Sequence, residues 1–152
     1  MVKVFKKLIE KFIPHKRPNL PFKEGYWIRV TPVELHLDHK TAYFIGTQHL
    51  KFTQPEVDEL VKSLNDYLKP EDMQLHVVDL YDWYLQSKKP LHVNLGSPHK
   101  LSGQDIRALF ALGSIEWQKL FTELQMFLYH HPINQKRVSE GKPQITALWL
   151  WK

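Results

Sequence analysis

The clearest periodicity in the chain lies at 53–68, TQPEVDELVKSLNDYL. There Val57, Leu60, Val61, Leu64 and Leu68 fall on one helical stripe. Thr53 and Glu56 stand three apart at its start, the spacing of a capping box in which each side chain meets an orphan amide. Pro55 sits in the first turn, where a missing N–H does no harm. A second stripe, Trp117, Leu120, Phe121, Leu124, Phe127 and Leu128, follows Gly113 and Ser114, with Ser114 placed to act as N-cap. This helix must stop before Pro132, which drives the residue before it out of helical geometry. INQKRVSEG then predicts a short further helix closed by Gly141. GQDIRALF, at 103–110, predicts one or two helical turns.

Strand patterns occupy the remainder. YWIRVTPVELHL, 26–37, is rich in β-branched and aromatic residues. Pro32 within it predicts an edge position or a bulge, because it cannot donate to a ladder. TAYFIG follows after a DHK turn and predicts a hairpin partner. MQLHVVDLYDWYL, 73–85, reads as one strand bent near Asp82, and QITALWLW as a last strand. The segment 88–103 carries prolines and glycines and reads as loop. The order β-β-α-β-α-α-β predicts an α+β fold, with a mostly antiparallel sheet and helices packed on one face.

The first residues are different in kind. MVKVFKKLIEKFI places Val4, Phe5, Leu8, Ile9, Phe12 and Ile13 at helical spacing, with lysines elsewhere on the wheel. It predicts a basic amphipathic helix, followed by a proline-rich linker from Pro14. The chain thus divides into residues 1–25 and a single domain at 26–152. The helix is expected to dock on the domain or on a protein partner. A membrane-surface anchor is the alternative, opposed by Glu10 and by the shortness of the segment.

Composition narrows the function classes. With 152 residues and 43% hydrophobic content, one domain with a substantial core is expected. Cysteine is absent, which excludes disulfides, thiolate metal sites and a cysteine nucleophile. No signal-peptide pattern and no apolar run of about 20 residues is present, so a cytoplasmic location is expected. Net charge is +5 with a pI near 9.3, which favours phosphate-bearing partners. Without a nucleic-acid motif, a specific nucleic-acid role is not expected.

Candidate chemistry is sparse. Nine histidines are present, but none has metal-box spacing. His36 and His39 point apart, and His130 and His131 are adjacent. No nucleophile elbow or P-loop occurs. Asp79 and Asp82, on one strand, would straddle the sheet. No metal, cofactor or catalytic residue is assigned. What stands out is HHPINQKRVSEGKPQITALWLWK, 130–152, a helix stop followed by a helix start. Asn134 and Arg137 would share one helical face beside a helix N-terminus, suited to a phosphate or carboxylate. Alternatively, His131 and Asn134 satisfy backbone groups at the kink and Arg137 pairs with a carboxylate. Trp149 and Trp151, on alternate strand positions, share one side and are expected in the core.

SPHKLSGQDI, LGSIEWQKL and HHPINQKRVSEGKPQITALWLW resemble, in order and spacing, a segment of archaeal-type cofactor-independent phosphoglycerate mutase. They also resemble bacterial RpfE-type regulatory, phosphoglycerate-mutase-like proteins. The likeness covers about 26–151. Matching positions are Arg29, His99, Gly103, Gly113, His131, Pro132, Asn134, Arg137, Gly141, Trp149 and Trp151. Thr146 replaces an asparagine of the pattern, Lys100 an aspartate and Lys152 a glycine, and the proline before the glycine is missing, since Ala111, Leu112 and Gly113 stand there. In the mutase this segment is an inserted domain that closes over substrate, while a separate core holds the metals and the phosphorylated serine. Nothing here matches that core. The resemblance therefore implies a stand-alone, non-catalytic lid domain of regulatory kind. Its ligand-binding residues would be Arg29, His99, His131, Asn134 and Arg137. Its partner would be a phosphorylated small molecule or another protein. A mutase-like enzyme, and a membrane-peripheral protein working through the N-terminal helix, are the alternatives.

Overall fold

A computed structural model describes residues 24–152. The helix expected at 1–13 lies outside the described residues. Within them the fold is α+β, with a five-stranded antiparallel sheet. The strands are β1 (Tyr26–Leu37), β2 (Ala42–Gly46), β3 (Met73–Asp79), β4 (Asp82–Ser87) and β5 (Ala147–Trp151). The helices are α1 (Gln54–Leu68), α2 (Arg107–Leu112), α3 (Ile115–Tyr129) and α4 (Pro132–Ser139).

β1 is the organising strand. Its first part pairs with β4, its middle with β5 and its last part with β2. Pro32 thus lies in a central strand, not at an edge. The Val33 carbonyl accepts from Thr146 on the β5 side. Alternation then directs the nitrogen of Pro32 toward the β4 side. Pairing with β4 ends at Val30, so no ladder bond is lost there. The register shift lies slightly further on, between Glu34 and Leu35.

The stretch 73–85 is not one strand. It is the β3–β4 hairpin, turning at Leu80 and Tyr81. The Asp79 carboxylate accepts from the Tyr81 amide at 2.9 Å and shapes the turn. β3 ends the strand order. The Asn65 side chain of α1 takes both backbone groups of Leu75, accepting from its N–H at 2.6 Å and donating to its carbonyl at 3.2 Å.

α1 begins with the expected capping box at Thr53 and Glu56. Ser114 caps α3 through the Trp117 amide at 3.1 Å. α1 and α3 meet where the Tyr67 and Phe127 rings lie 4.9 Å apart. Their leucines 60, 64, 68, 120, 124 and 128 join Ile28, Val30, Leu75, Leu85, Leu148 and Leu150 of the sheet in one buried cluster. Burying each such side chain is worth about 1.5–3 kcal/mol. Gly141 adopts φ +69° after α4, and Lys142 and Gly141 amides reach back to the Arg137 and Val138 carbonyls, closing the helix as expected.

The loop after β4 is anchored, not loose. Residues 103–106 run along β2 through Gly103, Gln104 and Ile106. Trp149 and Lys152 donate to the Gly96 and Leu95 carbonyls. These bonds hold the short helical turn Pro98–Lys100, which carries His99.

Candidate functional site

Two separate groups emerge from the five residues singled out in the sequence. His131, Asn134 and Arg137 gather at the α3–α4 junction. Arg29 lies elsewhere, against Asp82, and His99 comes within electrostatic range of the same carboxylate.

At the junction the side chains are turned inward. His131 caps α4, its Nδ1 accepting from the Ile133 amide at 3.1 Å. That acceptor must be unprotonated, and burial holds the ring's pKa below its ordinary value, opposed by Glu59. Asn134 donates to the Leu128 and Ile145 carbonyls at 2.7 and 2.8 Å and accepts from the Ile145 amide at 2.8 Å. It ties the helix kink to the approach of β5. Arg137 is 2% exposed. It donates to the Pro143 carbonyl at 2.7 Å, to Glu56 at 2.7 Å and to the Leu50 carbonyl. One guanidinium thus joins α4, the α1 N-terminus and the turn before it. Glu56 serves twice, in the capping box and as partner to Arg137. Burial pushes its carboxyl up, but the hydrogen bonds from Arg137 and Thr53 outweigh this and leave it below the ordinary range.

Arg29 is placed differently. Residues directly opposite in a ladder share a face. Arg29 stands opposite Tyr84 on one side and Trp151 on the other, and Tyr84 stands opposite His76. His76, Tyr84, Arg29 and Trp151 therefore form one row across four strands. The guanidinium carbon lies 4.0 Å from the Trp151 ring centre and 5.9 Å from that of Tyr84. Stacking on the indole fixes the plane of the group.

The charge partner of Arg29 is Asp82. Nη2 lies 3.4 Å from each carboxylate oxygen, well beyond the 2.7–2.9 Å of a strong charge-assisted bond. The Arg29 side chain is 33% exposed and that of Asp82 28%. Such a pair is worth about 0–1 kcal/mol, so it separates easily. Burial raises the Asp82 pKa above its ordinary value and Asp79 adds to this, while Arg29 and His99 oppose it. Burial likewise raises the Tyr84 phenol, with Asp82 adding and Arg29 opposing. Asp79 faces Asp82 across the hairpin, so these two carboxylates do not straddle the sheet as expected of a single strand.

Two N–H groups on this strip lack an acceptor among the described residues. They are Arg29 Nε and, two positions along the same side of β1, Trp27 Nε1. A buried donor left unpaired costs about 1–3 kcal/mol. Tyr84 was not singled out in the sequence, and Asp82 was considered there only beside Asp79, because it is the pairing of β1 with β4 that brings both to Arg29.

Among the described residues, no cluster of three or more His, Cys, Asp or Glu side chains suits a metal ion. No helix among them is long and apolar enough to cross a membrane. Compared with protein-family models, curated proteins and solved structures, the chain matches none. Its likeness to the mutase insert rests on the quoted motifs alone.

Proposed function

We propose that the chain is a non-catalytic, regulatory-type binding domain that recognises an anionic group through Arg29. The ligand is a phosphorylated small molecule, or an acidic segment of a protein partner, met in the cytoplasm. One observation carries this reading. Arg29 is a partly exposed guanidinium, held over the Trp151 ring, whose only carboxylate contact among the described residues is long. An anion replacing that contact gains shorter bonds at little expense. His99, from the anchored loop, adds a further polar group within electrostatic range of Asp82. In this reading His131, Asn134 and Arg137 build the frame instead of touching ligand, since His131 Nδ1, the Asn134 amide and the Arg137 guanidinium have interior partners. The net charge of +5 supports attraction of anions from a distance.

Isothermal titration with 3-phosphoglycerate and other phosphate esters tests this. Binding is expected, and Arg29→Ala should abolish it without altering thermal stability by more than a few degrees. No heat at millimolar ligand, or binding indifferent to Arg29→Ala, would remove the proposal.

A further inference from the structure

We propose that Asp82 reads the protonation of an anion held by Arg29, so that the site takes oxyanions still carrying a hydroxyl proton, such as phosphate and its monoesters, and turns away fully ionised ones. This rests on the anion-binding reading of Arg29 and names the ligand class of that site.

The argument is one of donors and acceptors at short range. Arg29 offers only donors, and an ionised carboxylate only acceptors. Nη2 is the same 3.4 Å from both oxygens of Asp82, so an anion that accepts from Nη2 lies beside the carboxylate. The rings of Trp151 and Tyr84 flank the guanidinium, and the Arg29 side chain is 33% exposed. A sulfate or a carboxylate there accepts from Arg29 but meets Asp82 as a like charge with no proton to share. A monoprotonated phosphate accepts from Arg29 and donates its P–OH to Asp82. The complex then holds one proton between phosphate and carboxyl.

The surroundings favour holding that proton. Asp82 is drawn toward its protonated form by burial and by Asp79, across the hairpin from it. Arg29 on β1 and His99 on the anchored loop pull the other way. Tyr84 shares its strand, and His76 faces Tyr84 from β3. Phosphate monoesters lose their second proton near pH 6, so the donor form is abundant in mildly acidic solution and falls to a minority by neutral pH.

The test is titration of the full chain with inorganic phosphate, glycerol phosphate and sulfate at about pH 6 and matched ionic strength. Both phosphates are expected to bind at least about tenfold more tightly than sulfate, from the hydrogen bond to a charged group. In Asp82→Asn the amide both donates and accepts, and the preference should fall below about threefold. The wild-type chain gives an independent measure: the ratio of phosphate to sulfate affinity should shrink as pH falls through the titration of Asp82. Equal affinity for phosphate and sulfate, or a ratio flat with pH, overturns the role of Asp82 while leaving Arg29 as an anion site. Absence of any binding, or binding unchanged by Arg29→Ala, overturns both.

Discussion

Replacing Arg137 with alanine should be among the most destabilising single changes in the domain. The side chain is 2% exposed and reaches Glu56, the Pro143 carbonyl and the Leu50 carbonyl. Alanine strands all three acceptors and leaves a cavity. Glu56 is itself largely covered, its side chain 21% exposed. Breaking such a pair by removing one partner costs about 3–5 kcal/mol. For a chain of this size each kcal/mol moves the melting temperature by roughly 2–4 °C, so a fall of about 6–20 °C is expected. Circular dichroism melts and urea titrations, run beside Arg29→Ala, provide the measurement. Arg29 is partly exposed with a long ion pair, so its removal should cost about 1 kcal/mol or less. Proton linkage sharpens the comparison. Glu56 has a folded pKa below its ordinary 4.5, so its contribution is complete above that value and is lost as pH falls through the folded one. Arg137→Ala should flatten this acid limb. A loss below about 1 kcal/mol, or an unchanged acid limb, would refute Arg137 as the tie between α4 and α1.

Other changes follow from the same geometry. Asn134→Asp should cost about 3 kcal/mol by urea titration, because a carboxylate replaces the amide that donates to the Leu128 and Ile145 carbonyls. Gly113→Ala sets a Cβ 2.5 Å from the Trp117 ring, which stacks on Phe121 and meets Trp149 edge-on; tryptophan fluorescence should shift and stability fall by about 1–3 kcal/mol. His131 has a folded pKa below its ordinary 6.5, so its contribution is full above that value and declines as pH falls toward the folded one. His131→Asn, which keeps a capping oxygen, should remove that part of the stability–pH slope.

What could be read from the chain depended on how local the signal was. α1 was legible because its cap, its proline and its apolar stripe lie within sixteen consecutive positions, 53–68. The Ser114 cap and the Gly141 stop were legible for the same reason. The β3–β4 hairpin was not, because its turn is Leu80–Tyr81, without the glycine, proline or asparagine that marks a turn, and is shaped by the Asp79 carboxylate on the Tyr81 amide. Pro32 misled because its tolerance depends on where a different strand ends. The candidate site shows the same division. Arg29 and His99 carried motif matches, but Asp82, Tyr84 and Trp151 reach Arg29 through ladder register. Asn134 and Arg137 lay on one helical face, as spacing requires, but spacing does not say whether that face meets solvent or the Glu56 carboxylate.

The Asn65 amide at Leu75 bears on how copies of this molecule meet one another. An outermost strand invites a stranger's backbone to dock alongside and lengthen the sheet without limit. Here a side chain already sits in the middle of that berth, imitating the backbone of a sixth strand. Crowded molecules must first dislodge it before they can polymerise edge to edge, so one asparagine helps keep the population dispersed.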